Sequence, residues 1–410
     1  MRIPFRAKLR SLVTTSLAPC VITLMFAGGP GFAQEYAVPN EGSPYRNFAE
    51  VPVNHILHLP TGLEVTADQM IDTVADSRVI YIGETHDNLE AHRVQLEIIQ
   101  KLLARRPGKI AIGMEMFRKS AQEELDLWHA GQFSDEKFKK IFRKNWGGSY
   151  KLYQSIFDYI KFNHLPLIGL KSSVETEARL KKDYTQLNFP AMDANDIYHK
   201  AYADAIFGGG KDKHGHDANI LYKMLVLWEE SMAETVADFL RDPARKNWTL
   251  VVLAGGFHVQ YGYGIPKRAF RRIPHAYSII LPVVTEVPAD LKDREMEIQP
   301  VSIPLYAADF GWKVEYKVPP KNRIRLGIRI KEDGDKRVTV VSVADGSVAE
   351  QMNIFKGDIL LSLDGEEISG VEDLVYRLQA KTFGDQVFIK VLRGKGETLL
   401  RGTIQEAKTD

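Results

Sequence analysis

Arg78-Val-Ile-Tyr-Ile-Gly-Glu-Thr-His86 is an apolar run that closes on a glycine and then presents a carboxylate, a hydroxyl and an imidazole. Val79 to Ile82 succeed one another without polar alternation, the mark of a central parallel strand covered on both faces. Gly83 lets the chain turn tightly at its end. In open α/β sheets ligands sit beyond the carboxyl ends of such strands, so Glu84 and His86 stand where a site is expected. Thr249-Leu-Val-Val-Leu-Ala-Gly-Gly-Phe-His258 repeats the design, with His258 three residues after Gly255.

Outward from the first run, Asp87 is placed to cap a helix from Leu89 to Arg105, on which Val94, Ile98 and Leu102 fall at helical spacing. Lys109-Ile-Ala-Ile-Gly-Met-Glu115 reads as a second buried strand that again delivers a carboxylate, Glu115. A strand–helix–strand unit implies a parallel pair. Ala121 to His129, Ser134 to Arg143 and Tyr150 to Phe162 read as helices, followed by a strand over His164 to Leu170. Further helices are expected over Val174 to Tyr184, Asp193 to Ile206 and Ala218 to Leu240, and a last strand over Ala276 to Pro282. Gly208 to Asp217 holds three consecutive glycines with His214 and His216 and reads as a lid-like loop.

Residues 1–33 form a secretory signal, with Arg2, Arg6, Lys8 and Arg10 before an apolar segment and Gly31-Phe32-Ala33 as the cleavage site. Its removal leaves 50 basic against 53 acidic residues, which does not suggest a nucleic-acid binder. The single cysteine, Cys20, lies in that segment, so the mature chain needs no disulfide in an oxidising compartment. Leu17-Ala-Pro-Cys20 is a poor lipoprotein acceptor because Pro19 precedes the cysteine. No later run approaches the roughly 20 apolar residues of a membrane helix. The expected location is periplasmic or extracellular. Residues 34–50 read as an extended lead-in, 51–285 as the first domain with a helical subdomain over about 119–240, and proline-rich 286–321 as linker. Residues 322–405 form a second, β-rich α+β domain with one helix from Val371 to Gln379.

Glu84, His86, Glu115 and His258 end three different expected strands, so a parallel sheet brings them to one rim. Two imidazoles and two carboxylates suit a divalent metal such as zinc or manganese, or acid and base work without one. Each alone is as easily a cap, a core group or one half of an ion pair. Tyr150, Tyr153 and Tyr159 share a helix, while Tyr261 and Tyr263 follow His258; histidine and tyrosine are both haem-iron ligands.

Gly83-Glu-Thr-His86, Met114-Glu115-Met-Phe117, Trp146 with Tyr153, Trp228-Glu-Glu-Ser-Met-Ala233 and Gly255-Gly-Phe-His-Val-Gln-Tyr-Gly-Tyr-Gly-Ile-Pro266 resemble the ChaN family of haem-binding uptake proteins. That family shares a superfamily with Tiki-type metalloproteases and erythromycin-esterase-like enzymes, and the resemblance spans about residues 50–285. It implies an α/β fold, a mainly parallel sheet flanked by helices with a smaller helical subdomain. It also implies haem as cofactor in iron uptake, with Tyr153 at the position of the family's tyrosine ligand and His86, His258, Tyr261 and Tyr263 around it. The two Gly-x-x-His motifs are also the metal signature of the Tiki branch. Where many relatives carry an asparagine after the third strand, this chain has Leu170-Lys-Ser-Ser173.

The tail is similar to bacterial PDZ domains, through Arg325-Leu-Gly-Ile328, Gly346-Ser-Val-Ala349, Lys356-Gly-Asp-Ile-Leu360 and Val371-Glu-Asp-Leu374. The resemblance implies that Arg325, Leu326, Gly327 and Ile328, with Val371, hold the C-terminal peptide of a partner. The expectation is a haem-binding protein docked to a partner through its PDZ domain, and a homodimer is compatible with it. The competing readings are a metal-dependent hydrolase using Glu84, His86, Glu115 and His258, and a PDZ adaptor with a vestigial pocket.

Overall fold

A computed structural model describes residues 48–182, 192–207, 218–295, 298–299, 301, 303–319, 324–379 and 381–405. The expected signal sequence, nearly all of the lead-in, Cys20 and the glycine-rich stretch with His214 and His216 lie outside them.

The chain opens with an antiparallel pair, β1 (Ile56–His58) and β2 (Leu63–Val65), then α1 (Ala67–Val74), whose start is fixed by a capping box between Thr66 and Gln69. β3 (Val79–Glu84) is buried along its whole length, as its unalternating sequence requires. α2 (Leu89–Arg105) has the expected bounds, but its cap is Asn88, whose side chain accepts from the Glu90 N–H. Asp87, the expected cap, instead accepts from the Tyr316 hydroxyl and pairs with Arg294. β4 (Ile110–Arg118) precedes three helices, α3 (Gln122–His129), α4 (Asp135–Asn145) and α5 (Tyr150–Phe162). There follow β5 (Leu167–Lys171), α6 (Val174–Lys182), α7 (Ile197–Phe207) and α8 (Ala218–Arg241). β6 (Thr249–Gly255), α9 (Ile265–Arg272), β7 (Tyr277–Val283) and β8 (Phe310–Lys313) complete the first domain.

The sheet has eight strands in the order β2-β1-β8-β7-β3-β6-β4-β5. From β8 to β5 neighbouring strands are parallel; β1 runs antiparallel to both β2 and β8 at one edge. β8 lies inside the stretch expected to be linker, so residues 310–313 are part of the sheet rather than a connection. The pleat sends Ile80 and Ile82 to a core shared with α1, α2 and α3 to α5, and Val79 and Tyr81 to one shared with α8 and α9. In the first core Phe117 sits among Phe138, Phe142 and Phe157, with ring centroids 5.7, 5.7 and 5.9 Å away.

The tail forms its own antiparallel sheet and core. β9 (Ile328–Glu332), β10 (Val338–Val343), α10 (Val348–Gln351), β11 (Ile359–Leu363), β12 (Glu366–Glu367), α11 (Val371–Gln379), β13 (Gln386–Arg393) and β14 (Gly396–Thr403) follow in order. The strands lie in the order β14-β13-β11-β10-β9, so β9 is an edge. Arg143 of α4 pairs with Asp373 of α11 at 2.7 Å, joining tail to first domain.

Phe117→Ala removes a fully buried ring from a tightly packed aromatic cluster, and should destabilise by about 3–5 kcal/mol in urea unfolding.

Candidate functional site

The site follows from strand register. β3 pairs with β6 so that Glu84 lies opposite Gly255, and β4 pairs with β6 up to Met114 opposite Leu253, which brings Glu115 to the same end. Gly255, on the strand between them, lacks the side chain that would fill the gap. A Cβ there would stand 2.9 Å from His86 Nε2 and 3.5 Å from Glu115 Oε2. The structure therefore gathers Glu84, His86, Glu115 and His258 around one notch at the carboxyl rim.

On the α2 and α5 side, Glu84 is fully buried. Its Oε1 meets His86 Nδ1 at 2.8 Å and accepts from the Tyr153 hydroxyl at 2.5 Å, while its Oε2 accepts from Gln95 at 2.6 Å. His92 is held nearby by Gln95 Oε1 at 3.0 Å and by the His86 carbonyl at 3.1 Å. Burial alone would raise the Glu84 pKa, but the His92 charge and the His86 hydrogen bond outweigh it and keep it below the usual carboxylate range. His86 is likewise pulled two ways; burial lowers its pKa, and the Glu84 hydrogen bond and Glu115 charge carry the balance upward.

On the α8 and α9 side, Glu115 accepts from the Gly255 N–H at 2.8 Å and lies 3.5 Å from His258 Nε2. His258 Nδ1 is 3.3 Å from Glu229. The desolvation that disfavours an imidazolium is overcome by these two carboxylates, and the His258 pKa is pushed up to about 10. Glu229, buried on α8, touches His199 at 3.2 Å and Arg268 at 3.4 Å. Adjacent Glu230 takes Arg271 and Arg272. Burial would raise Glu229, yet its cationic neighbours bring it down to about 2. Gly264 is essential to this turn, since a Cβ there would stand 2.2 Å from the His258 carbonyl oxygen.

The mouth is lined by indoles and one lysine. Trp146, which ends α4, sits edge-on to His86 with ring centres 4.9 Å apart, and Trp228 lies 6.4 Å from His258. Lys171, at the end of β5, holds its ammonium 5.2 Å from the Trp146 ring and 4.5 Å from that of Trp228. The His86 side chain is 42% exposed, whereas the Glu84 side chain is closed off. Tyr153, expected as a ligand, is fully buried and commits its hydroxyl to Glu84; burial and that carboxylate raise its pKa well above the usual value. Tyr261 and Tyr263 pack in an aromatic cluster with Tyr202 and Phe257. Among the described residues no group of three or more His, Cys, Asp or Glu side chains is placed to hold a metal ion.

Sequence reading missed His92, Gln95, His199 and Arg268. The first two carried a signal, polar residues three apart on the apolar face of α2 beside Val94, Ile98 and Ile99.

In the tail, Arg325, Leu326, Gly327 and Ile328 line a groove of about 560 Å³ between β9 and α11. Leu374, Val375 and Leu378 form its helical wall. Val371, at the start of α11, gives its N–H to Glu332 at 2.7 Å and packs on the same core as Ile328 and Ile330.

Residues 70–269 match the family model described as haem-binding uptake, Tiki superfamily, ChaN. That stretch is a ChaN-family domain. Residues 325–401 match the PDZ domain model. No curated protein matches the chain. Among solved structures, the ChaN-like domain finds the ChaN of Campylobacter jejuni, described with cofacial haem binding, at 18% identity and a TM-score of 0.49, covering 63% of this chain and 98% of that one. The serine endoprotease from Yersinia pestis matches at 22% identity and TM-score 0.19, over 21% of this chain and 30% of that one. An HtrA-type protease, AlgW with a decapeptide, matches at 20% identity and TM-score 0.20, over 20% and 29%. The chain spans less than a third of either protease. No helix among the described residues is long and apolar enough to cross a membrane.

The His258 imidazole keeps its proton in the folded chain up to about pH 10, and its ordinary pKa is 6.5. Its contribution to stability is therefore complete below about 6.5 and lost as pH rises toward 10. Urea unfolding between pH 7 and 10 should show stability falling with pH, and His258→Gln should flatten that fall by one proton's worth of slope.

Proposed function

We propose that this protein binds haem at the notch in the sheet rim, with His86 Nε2 as the ligand to iron, and that it serves haem uptake outside the cytoplasm while its PDZ groove holds a partner's C-terminus. The observation that carries the haem reading is the state of His86. It is the exposed imidazole of the four converging groups, its Nδ1 is held by the buried Glu84, and its other nitrogen faces the notch. A carboxylate behind the ring fixes its tautomer and raises its basicity, as is usual for metal-ligating histidines. The indoles and the lysine at the mouth suit a flat, apolar, anionic ring. Haem, if bound, would supply an iron that an imidazole nitrogen such as His86 Nε2 could hold. The family match to haem-binding uptake proteins supports the same reading.

Tyr153 enters this proposal as the residue that orients Glu84, since its enclosed hydroxyl does not face the notch. A hydrolase gains no comparable support: among the described residues no group of three or more His, Cys, Asp or Glu side chains is placed to hold a metal ion, and His258 is engaged by Glu115 and Glu229. Export rests on the signal-like sequence of residues 1–33. Peptide docking rests on the β9 edge and the groove beside it, the arrangement by which an added strand is gripped.

Haemin titrated into the protein should produce a saturable, shifted Soret band. His86→Ala should abolish it, Glu84→Gln should weaken binding about tenfold or more, and Tyr153→Phe should keep the band. Loss of the band in Tyr153→Phe but not in His86→Ala would return the ligand role to the tyrosine.

For the tail, fluorescence polarisation with a library of C-terminal peptides should find ligands whose binding is lost in Val375→Glu. That side chain is 43% exposed on the groove wall, so its replacement spares the core, and an unchanged affinity would refute the groove as the docking site.

A further inference from the structure

β9 is the edge strand of the tail's sheet beside the peptide groove, and its two faces differ. Ile328 and Ile330 turn inward to the tail core, whereas Arg329 and Lys331, which alternate with them, are exposed. The neighbouring strand repeats the division: Ile328 and Ile330 lie opposite Val343 and Val340, and Arg329 and Lys331 opposite Ser342 and Thr339. No acidic residue of β10 therefore stands across from either cation. Among the described residues no carboxylate lies within ion-pair distance of Arg329 or Lys331, although Arg337, Arg377, Lys381, Lys390 and Arg393 of the same domain all pair with one. Glu332, next along β9, is engaged elsewhere, since it accepts the Val371 N–H at the start of α11. The edge thus carries two uncompensated positive charges on one face and apolar side chains on the other.

A strand added to this edge keeps a period of two, and side chains directly opposite each other share a face. A partner tail whose last side chain enters the groove beside Leu374 and Leu378 therefore presents its second and fourth residues from the end on the face of Arg329 and Lys331. We propose that those two residues are acidic, so that the groove selects its partner by an alternation of apolar and acidic side chains at the C-terminus. The assignment rests on the docking reading above and adds the chemistry of the partner that is held.

Random heptapeptides with free C-termini are selected on the protein containing both domains, and the selected peptides are compared by fluorescence polarisation with forms in which glutamine replaces their acidic residues. Asp and Glu should be enriched at the second and fourth positions from the end. Glutamine there should weaken binding roughly three- to tenfold at low salt, the scale of two exposed cross-strand charge pairs, and the difference should shrink at high salt. Arg329→Gln combined with Lys331→Gln should erase the difference by weakening the acidic peptides alone, and Arg329→Glu combined with Lys331→Glu should turn the preference toward lysine. Both side chains are exposed, and thermal unfolding checks that the variants are folded. Selected peptides whose binding is lost in Val375→Glu but which show no acidic enrichment would overturn the assignment and leave the two cations as guards of the edge against stray pairing. Selection of no peptide at all is a different result; it removes the docking reading and the preference with it.

Discussion

Hydrogen bonding between β3, β6 and β4 sets where everything else in the site can be. The ladder holds Glu84 level with Gly255 and brings Glu115 alongside, so two carboxylates end on either side of a residue with no side chain. That ladder lies inside the sheet, between β7 and β5, covered on both faces by apolar side chains and helices. A register slip would move a whole strand's side chains to the wrong core, which makes this alignment among the most firmly specified features of the molecule.

Buried charge around the notch is organised in two separate sets that meet only there. Tyr153, Gln95 and His86 satisfy Glu84 from the α2 and α5 layer, with the His92 ring behind them at 3.8 Å. On the other side an alternating series runs from Glu115 through His258 and Glu229 to His199 and Arg268, and Glu230 with Arg271 and Arg272 continues it outward. Removing one member of such a series leaves an uncompensated charge in a low-dielectric interior, so each depends on its neighbours far more than a surface ion pair would. His199 and Glu229 are in ion contact at 3.2 Å without hydrogen-bond alignment, which makes their attraction electrostatic rather than directional. The contrast gives the two histidines different characters: His258 is fixed as a cation, and His86 alone keeps a nitrogen turned to the outside.

Much of this could be read from the chain itself. Unalternating runs marked β3, β4 and β6, their polar ends marked the four rim residues, and helical periodicity marked α2 and α5 with correct bounds. What escaped depends on long-range pairing. β1, β2 and β8 are three or four residues long and draw their identity from one another, since Ile56 pairs with both Val65 and Trp312. No local pattern in a proline-rich stretch announces that 310–313 will join a sheet whose central strand begins at Val79. The role of Tyr153 escaped for a related reason. Its place on α5 was legible, but whether its hydroxyl faces a cavity or a buried carboxylate depends on how α5 docks against β3. Lys171 stood out in sequence only as a departure from the family pattern, and its two indoles come from elements far from it along the chain, the end of α4 and the middle of α8.

The notch is an absence supplied by Gly255, and its walls come from elements the central ladder does not govern. Trp146, Lys171 and Trp228 are set at the ends or on the sides of peripheral elements, where replacement disturbs no strand register. A lineage can thus alter what the mouth prefers, by exchanging an indole or a charge, without touching the frame that holds the imidazole. Of the three, Trp146 and Trp228 belong to the motifs shared with the family and Lys171 departs from its pattern, so variation at the mouth falls to the end of β5, whereas a side chain at Gly255 would close the space that the others shape.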